Sequence, residues 1–445
     1  MNVDDFLKRD IDRRQFLGKS AQNAAGMAAG IVGLSGTVAK AAPSERVTLA
    51  IIGTRSQGKR LASSMASFPD LDLVAICDID DSLLPATAKV IEDIQGWAPR
   101  HEKDFRRILD DKSIQAVVIA TPDHWHAIMG IMACQAGKDV YVETPISHNI
   151  HEGARLVEAT RKYNRIVQSG MQQRSGSQFQ SAVQLVRSGS LGNVHLAKAW
   201  TVHRRKPIGF KQDGISPKGV DYDLWLGPAP VRRFNANRFH HNWRWFWDYG
   251  TGELGNWGVH VLDIARWGLG VSLPISISAT GGKYAFHDAQ ETPDTLIVQY
   301  GYCQPDVGQE VEGVHKTIIW EHRLWSTHGI EGRSAATAFY GDQGTLVVDR
   351  GGWKLYDVAK SITAGTSDQA RMQHRNFIDC VKSRQKPTAD IEIGHVSSTL
   401  CHLGNIAYRL DREVRFDPIN FNFGNDTEAN SLLQREYRHP WYLES

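Results

Sequence analysis

The residues that decide the fold read Arg46-Val47-Thr48-Leu49-Ala50-Ile51-Ile52-Gly53-Thr54-Arg55-Ser56-Gln57-Gly58. The first part of this stretch is a short apolar run, which is typical of a buried parallel strand. Two glycines then frame a turn, and residues 58–68 have helical spacing. A strand, a glycine turn and a helix in this order form the opening unit of a nucleotide-binding fold.

The same order of strand and helix continues along the chain. We predict further strands at residues 73–78, 116–120, 139–143 and 166–170, and helices at residues 104–109, 126–136 and 150–163. Strands that alternate with helices through short connections form a doubly wound parallel sheet. The sequence therefore predicts an α/β, Rossmann-type domain over residues 43–170.

Ligands of such a sheet bind beyond the carboxyl ends of its strands. Asp78 ends the second strand, twenty residues after Gly58, where a carboxylate binds ribose hydroxyls and repels a 2′-phosphate. We therefore expect NAD as the cofactor and disfavour NADP. The predicted cofactor-binding residues are Gly53, Thr54, Arg55, Gln57, Gly58, Asp78, Thr121, Pro122, His124, His126, Glu143 and Pro145.

One position departs from the dinucleotide-binding pattern. Arg55 stands where that pattern has its middle glycine, which lets the backbone approach the pyrophosphate. An arginine can instead place its guanidinium over the phosphates. The alternative is that Gly53 and Gly58 only allow a helix and a strand to pack closely.

From about residue 171 the pattern changes to strands of antiparallel character. One short glycine-bounded turn, residues 341–344, joins two of these strands, as in a hairpin. We therefore predict a second, α+β domain over residues 171–445. Its predicted strands are 194–202, 275–280, 294–300, 316–320, 335–340 and 345–348, with a hairpin turn at 341–344 and helices at 176–187, 372–382 and 394–408.

Several motifs resemble those of one protein family. Thr121-Pro122-Asp123-His124-Trp125-His126 and Glu143-Thr144-Pro145 resemble its Thr-Pro…His and Glu-Lys-Pro segments, and the likeness continues in residues 187–194, 223–230 and 250–267. On these motifs the chain is identified as a member of the glucose–fructose oxidoreductase, inositol dehydrogenase and rhizopine catabolism (Gfo/Idh/MocA) family. The resemblance implies a large, mostly antiparallel sheet in the second domain, which binds the substrate and often other subunits.

The resemblance also implies a class of reaction. Most members of the family transfer a hydride between a nicotinamide cofactor and a sugar, a polyol or a related hydroxyl compound. Others use a transient oxidation to break glycosidic bonds. We therefore predict an NAD-dependent oxidoreductase that acts on a hydroxyl of a sugar, polyol or glycoside. The alternatives are an NAD-dependent glycosidase and a catalytically impaired sugar-binding relative.

Two positions depart from the catalytic pattern of that family. By resemblance, Glu143 faces the nicotinamide ribose and Pro145 shapes the adjoining turn, but Thr144 replaces the lysine that most members have between them. Asn256 replaces an acid four residues before His260. A threonine hydroxyl is a poor base at neutral pH, so these replacements keep the impaired relative open as an alternative to the predicted oxidoreductase.

His260 is the predicted proton acceptor, because imidazole titrates near neutral pH. We expect Asn256 to orient the substrate, and Lys206 is a candidate for the missing cation. The catalytic candidates are His260, Asn256, Tyr222 and Thr144, with His148 as a further one. The alternative roles are a packed helix histidine for His260 and a solvated loop for Lys206.

Aromatic residues are concentrated before His260. Trp225, Trp243, Trp245 and Trp247 lie in this part of the chain. Tryptophan rings stack on sugar rings, but they also fill cores. Both roles are open from the sequence alone.

The N-terminal segment has the layout of an export signal. Arg13-Arg14 precedes an Ala- and Gly-rich run, and Ala39-Lys40-Ala41 offers small residues to a signal peptidase. We predict a twin-arginine signal peptide over residues 1–42, with the twin-arginine export machinery as a partner and a periplasmic or other extracytoplasmic location. The run is too short for a membrane span, so we expect no span in the mature protein.

The composition argues against several other classes. A formal net charge of +2 without a long basic run argues against a nucleic-acid partner. The five cysteines have no paired spacing, and no Cys or His cluster suggests a metal site. The expected partners are a small-molecule carbohydrate and, from the resemblance, other copies of the chain in a homo-oligomer.

Overall fold

Six parallel strands form the first sheet of the protein. The computed structural model describes residues 45–303, 315–356 and 361–443, so the predicted signal peptide lies outside the described residues. The strands are β1 (Val47–Ile52), β2 (Leu71–Cys77), β3 (Arg100–Glu102), β4 (Ala116–Ile119), β5 (Asp139–Val142) and β6 (Val167–Ser169). Their spatial order is β3-β2-β1-β4-β5-β6. The order reverses between β1 and β4, and a crevice opens there at the carboxyl ends of the strands.

Helices cover both faces of this sheet. They are α1 (Ser56–Ala66), α2 (Leu84–Gln95), α3 (Phe105–Asp110), α4 (Asp123–Gln135) and α5 (Ile150–Lys162). Side chains alternate along β1, so Leu49 and Ile51 enter the core beneath α1 and α2, whereas Ala50 and Ile52 enter the core beneath α3, α4 and α5. Burial on both faces explains why β1 is a continuous apolar run.

Nine strands form the second sheet. They are β7 (Val194–Val202), β8 (Ser276–Gly282), β9 (Thr295–Tyr302), β10 (Lys316–Arg323), β11 (Ala335–Gly341), β12 (Thr345–Asp349), β13 (Gly352–Tyr356), β14 (Ser361–Ala364) and β15 (Val414–Arg415). Their order is β14-β13-β12-β11-β7-β10-β9-β8-β15. Every pair is antiparallel except β7 with β10, so the sheet is mostly antiparallel.

The later helices connect the two sheets. They are α6 (Ser177–Arg187), α7 (Tyr222–Leu226), α8 (Val259–Leu269), α9 (Gln369–Ser383), α10 (Ile391–Leu410) and α11 (Thr427–Ser431). Helix α8 packs on β7 and β11, and α10 packs on β8 while it also contacts α5 and β6. Helix α9 returns to the first sheet, where Phe377 and Ile378 are fully buried beside Leu49 and Ile51. The two sheets are therefore held together through shared helices.

The predicted fold class is confirmed, and several elements are additional to the prediction. Helix α2, strand β3 and strands β13, β14 and β15 were not expected from the sequence. The first sheet ends at Ser169 and the second begins at Val194, on either side of the predicted limit at residue 170. The predicted hairpin is present, since the Gly341 amide donates to the Gly344 carbonyl at 2.9 Å. None of the described helices combines the length and the hydropathy that crossing a membrane requires.

Candidate active site

A cavity of about 940 Å³ lies where the crevice of the first sheet meets the second half of the chain. One wall is formed by residues at the carboxyl ends of β1, β2, β4 and β5, and the opposite wall by Arg205 and residues between His240 and His260. Among the predicted residues, those that line it are Gly53, Arg55, Gln57, Asp78, Thr121, Pro122, His126, Glu143, Thr144, Asn256 and His260.

The turn between β1 and α1 brings backbone segments too close together for side chains. Gly53 has a φ of +88°, and a Cβ on it would lie 2.6 Å from the Ala120 carbonyl oxygen. A Cβ on Gly58 would lie 1.7 Å from the Gly53 carbonyl oxygen. Both glycines are therefore required sterically, which leaves the backbone of this turn accessible to a ligand, as a pyrophosphate site needs.

Asp78 is held in place at the end of β2. Its Oδ2 accepts hydrogen bonds from the Thr54 amide at 2.7 Å and the Thr54 hydroxyl at 3.0 Å, and its Oδ1 accepts from the Asp80 amide at 3.1 Å. Burial raises the pKa of Asp78. Since its carboxylate still borders the cavity, it fits the ribose-binding acid that the sequence predicts. Arg55 borders the cavity beside it with an exposed side chain.

Glu143 is the carboxylate at the end of β5. It accepts a hydrogen bond from the Gln57 side-chain amide at 2.9 Å, so it joins the two strand ends on either side of the crevice. Burial raises the pKa of Glu143, although Gln57 and the charge of Arg350 oppose this rise. The next residue, Thr144, places its hydroxyl oxygen 3.4 Å from His260 Nε2.

Two histidines that were predicted to bind the cofactor, His126 and His124, form hydrogen bonds with backbone carbonyl groups. The ring of His126 contacts the carbonyl oxygens of Pro145 at 2.6 Å and Thr121 at 2.8 Å, so it fixes the segments after β4 and β5 relative to each other. The ring of His124 is fully buried and contacts the carbonyl oxygen of Trp225 at 3.0 Å. Burial, and then the charge of Arg435, lowers the pKa of His124 to about 3. His124 therefore lies behind the cavity wall and carries no charge at neutral pH.

His260 lies in the first turn of α8 and faces the cavity. Burial lowers its pKa to about 3, with a further contribution from the charge of Arg350. Its Nδ1 is buried without a hydrogen-bond partner among the described residues. The ring is therefore neutral at physiological pH, and a neutral imidazole nitrogen can accept a proton from a hydroxyl.

Asn256 belongs to a network that the sequence did not predict. Its side-chain amide donates to Glu253 at 3.1 Å, and its carbonyl oxygen accepts from Arg244 at 3.1 Å. Glu253 is fully buried, and it accepts from Arg205 at 2.8 and 2.9 Å and contacts His203 at 3.0 Å. Burial opposes its ionisation, but Arg205 and His203 outweigh this effect and lower the pKa of Glu253 to about 2.

Asp123 is a further titratable group of the lining. It is 3% exposed, and its carboxylate accepts a hydrogen bond from the Thr251 hydroxyl at 2.8 Å. Burial raises the pKa of Asp123 to about 7. A lining group that titrates near neutral pH is a candidate for proton transfer.

Some predicted residues lie away from the cavity. Tyr222 stacks on Trp225 and donates to the Arg233 carbonyl at 3.3 Å, and His148 borders a small separate cavity of about 40 Å³. Lys206 is exposed and Arg205 lines the cavity in its place, which corrects the predicted cation. Thr54, Gly58, His124 and Pro145 support the lining from behind.

The charged lining residues that the sequence analysis missed include three arginines and Asp123. Arg205, Arg244 and Arg350 all line the cavity. Arg205 precedes Lys206 in the same basic run, and Asp123 belongs to the Thr-Pro motif. Both could therefore have been predicted as lining residues from the sequence. Arg244 lies among the tryptophans and Arg350 follows β12, and neither has a local signal.

A parallel α/β sheet with an acid after β2 and a glycine turn after β1 defines a dinucleotide-binding protein of the Rossmann class. Within this class, the model of the Gfo/Idh/MocA oxidoreductase family with an NAD-binding Rossmann fold matches residues 47–171. The model of its C-terminal α/β domain matches residues 200–302 and 335–443. The chain therefore belongs to the Gfo/Idh/MocA oxidoreductase family, and NAD is the cofactor of its fold. The predictions of the family and of NAD are confirmed.

Relatives of known sequence and structure agree with this family. Inositol 2-dehydrogenase of Rubrobacter xylanophilus is 30% identical over 280 residues, which are 62% of this chain and 71% of that protein. A glycosyl hydrolase family 109 protein of Parabacteroides distasonis is 27% identical over 300 residues, which are 62% of each chain. A levoglucosan dehydrogenase in complex with NADH and levoglucosan superposes with a TM-score of 0.64 at 16% identity, over 83% of this chain and 99% of that chain.

The curated relatives are matched over part of their length. Across those compared, the match spans 46% to 71% of the relative's own sequence. The similarity to the levoglucosan dehydrogenase shows a shared fold, since the identity is low. Substrate and reaction are therefore argued from the residues of this chain.

Proposed function

We propose that the protein is an NAD-dependent oxidoreductase that acts on a hydroxyl group of a sugar, polyol or glycoside. The observation that carries this proposal is the contact between His260 and Thr144. The 3.4 Å distance from His260 Nε2 to the Thr144 hydroxyl places a neutral imidazole at the carboxyl end of β5. This is the end of the crevice opposite Asp78, where the nicotinamide half of the dinucleotide is expected.

The chemistry divides between cofactor and protein. When bound, NAD⁺ accepts the hydride from the carbinol carbon. The C–H bond breaks with both electrons, the O–H bond releases its proton, and a carbonyl, NADH and one proton result. His260 is the residue placed to accept the hydroxyl proton, because its ring is neutral and faces the cavity. Its lowered pKa, about 3, differs from the titration near neutral pH that the sequence predicts and makes the ring a weak base.

Asn256 is suited to position the substrate. Its amide is fixed by Glu253 on one side and Arg244 on the other, so its orientation is set before the substrate binds. One N–H and one lone pair of this amide remain for hydroxyl groups of the substrate. Asn256 therefore serves in orientation and has no part in proton transfer.

The aromatic lining supports a sugar as the substrate. Trp243 and Trp257 border the cavity, and Trp243 carries the Arg244 guanidinium 5.2 Å from its ring. Trp245 and Tyr249 are buried in a separate aromatic core. The aromatic residues near His260 therefore fall into two groups. One group fills a core, and the other lines the cavity with flat rings and polar atoms, as in a carbohydrate site.

The test begins with the cofactor and then follows the hydride. Protein purified without added nucleotide is denatured, and any released cofactor is identified by mass. The intact protein is then mixed with NAD⁺ and neutral sugars, polyols and sugar acids, and NADH fluorescence is recorded. Formation of NADH with one of these compounds supports the proposal. Bound NAD without any hydride transfer to or from these substrates would contradict it.

A second candidate function is an NAD-dependent glycosidase. The similarity to a glycosyl hydrolase family 109 protein favours it. Incubation with aryl glycosides separates the two candidates, since released phenol without net NADH identifies the glycosidase. The third possibility, a sugar-binding relative in which Thr144 and Asn256 have ended catalysis, predicts sugar binding with neither product.

We also propose export and self-association. The twin arginines Arg13-Arg14 and the small residues at Ala39-Lys40-Ala41 support export by the twin-arginine route to the periplasm or another extracytoplasmic space. Fusion of residues 1–42 to a reporter tests it, and secretion that survives Arg13→Lys with Arg14→Lys counts against it. Light scattering of the mature protein tests the proposed homo-oligomer, and a mass of one chain counts against it.

A further inference from the structure

Arg244 is an unneutralised cation in the wall of the cavity. Its Nε donates to the His241 carbonyl at 3.0 Å and its Nη1 to the Asn256 side-chain carbonyl at 3.1 Å. Neither partner carries a negative charge. Within residues 45–303, 315–356 and 361–443, Arg244 forms no ion pair, and no hydrogen bond of its Nη2 is found.

The nearest buried carboxylate is already committed to another residue. Glu253 accepts two hydrogen bonds from Arg205 and contacts His203, and it forms no hydrogen bond with Arg244. The charges of Glu253 and Asp123 both act on Arg244, but neither carboxylate pairs with it directly. The Asn256 side chain thus holds the guanidinium in place without cancelling its charge. A fixed guanidinium that lacks an internal carboxylate is prepared to bind an anion from outside.

The charge of the whole lining also favours an anionic ligand. Seven arginine and lysine side chains line the cavity against four aspartates and glutamates, counted over the described residues. Arg55 lies at the glycine turn, and Arg244 is bound to Asn256; the charge of Arg55 acts on Arg244, so both lie in one positive region of the lining. Burial, and then the charge of Arg205, lowers the pKa of Arg244 to about 10, which leaves it charged at neutral pH.

We infer that the substrate is a sugar acid or its glycoside, whose carboxylate binds Arg244. This inference rests on the proposed function and narrows its substrate class. A carboxylate fits the planar fork of the guanidinium, with Nη2 and the remaining N–H of Nη1 as donors. Trp243 and Trp257 then face the sugar ring, and Asn256 contacts its hydroxyls.

The first test compares matched sugars. Glucuronate and galacturonate are titrated calorimetrically into the NAD-loaded protein, with glucose and galactose as neutral counterparts. We expect the uronates to bind about 10- to 100-fold more tightly than the neutral sugars, as a charge-assisted hydrogen bond in a partly buried site implies. Equal affinity for uronate and neutral sugar, or a preference for hexose phosphates, overturns the inference.

The second test uses variants of the network. Arg244→Gln removes the charge, and Asn256→Asp places a carboxylate beside the guanidinium, although it also replaces the amide that donates to Glu253 at 3.1 Å. Both should weaken uronate binding about 10- to 100-fold, and Arg244→Lys should restore part of it. Arg233→Gln is the matched control, because Arg233 is exposed, lies outside the lining and loses the same charge. An equal loss in this control overturns the inference.

Titration with NAD shows whether the anion at Arg244 is the substrate carboxylate or the cofactor pyrophosphate. If Arg244 instead holds the cofactor pyrophosphate, Arg244→Gln weakens NAD binding as much as uronate binding, and the inference fails. Calorimetry also separates the inference from the proposed function. Uronate binding that depends on Arg244, without NADH formation, supports the ligand class and contradicts the proposed oxidoreductase. NADH formation from neutral sugars alone supports the oxidoreductase and contradicts the sugar-acid substrate.

Discussion

His260 is the residue on which the proposed proton transfer depends. We expect His260→Ala to lower kcat by about 10²- to 10⁴-fold, the usual contribution of a positioned proton acceptor. The measurement is steady-state NADH formation with saturating NAD⁺. His148→Ala is the control, because His148 borders a separate small cavity and should keep a kcat close to that of the unchanged protein. A kcat near normal in His260→Ala removes it as the acceptor.

The pH dependence of kcat carries a second prediction at the same residue. Because burial lowers the pKa of His260 to about 3, the ring stays neutral from pH 8 down to about pH 4, and its titration contributes no inflection near pH 6.5. Asp123, with its pKa raised to about 7, is a lining group that titrates in this range. Any inflection near pH 7 should therefore vanish in Asp123→Asn. An inflection that persists there and disappears in His260→Gln contradicts the assignment.

Side chains of the site differ in how far the sequence reveals them. Gly53, Asp78, Glu143 and His260 follow strands or motifs whose positions local patterns fix, and all of them line the cavity. Arg244 also lines the cavity, from the short helical turn Asn242–Trp245. This turn follows no strand of the sheet and carries no motif, so no local pattern predicts Arg244 as a lining residue.

At the scale of one element, the turn from β1 into α1 makes a steric prediction. A methyl group on Gly58 would lie 1.7 Å from the Gly53 carbonyl oxygen, and backbone must move to admit it. We expect Gly58→Ala to lower the free energy of unfolding by about 1–3 kcal/mol, as overpacking does. We also expect NAD binding to weaken about tenfold, because the turn that faces the pyrophosphate is displaced.

Gly214→Ala is the matched control for this prediction. Gly214 lies in a loop, and no atom stands within 4 Å of a Cβ built on it. Urea denaturation and calorimetric titration of NAD are measured on both variants. Unchanged stability and unchanged NAD affinity in Gly58→Ala would mean that the turn does not touch the cofactor.

The elements that the sequence did not predict have different physical causes. Strand β3 has three polar or charged residues, Arg100, His101 and Glu102, and pairs at the sheet edge, so it has no apolar run. Strand β15 has only two residues, and its pairing with β8 joins segments far apart in the sequence. Helix α2 is different, because it buries one face and ends at Gly96 with a φ of +91°, which is a readable helix signal.

The order of strands in the second sheet could not be predicted from the sequence. Strand β7 lies between β11 and β10 and runs parallel to β10, although more than a hundred residues separate β7 from β10. Alternation of side chains identifies each strand but not its neighbour. The first sheet was predictable in class and in five of its six strands, β3 being the exception, because each helix returns the chain in the same direction, which leaves few arrangements.

Burial of histidines gives the molecule a predictable response to acid. Among the described residues, eleven histidines have a lowered pKa, and burial is the largest cause for each. Below pH 6.5 the unfolded chain binds protons that the native protein excludes, so the free energy of unfolding falls as the pH falls. Five carboxylates with a raised pKa act in the opposite direction, because the native protein binds their protons first. The histidines outnumber them, so the net slope is a loss of stability toward acid.

We expect the urea midpoint to fall steadily from pH 7 to pH 5, with a net uptake of several protons on unfolding. Each net proton changes the free energy of unfolding by about 1.4 kcal/mol per pH unit. His395→Gln isolates one contribution, because burial lowers the pKa of His395 to about 4 and its ring stacks on Phe421. This variant should reduce the slope by about one proton whatever its stability at pH 7, because the slope counts protons and not contacts. A free energy of unfolding that is constant or rises from pH 7 to pH 5 would contradict the prediction that the buried histidines outweigh the carboxylates, and an unchanged slope in His395→Gln would show that His395 is protonated in the native protein.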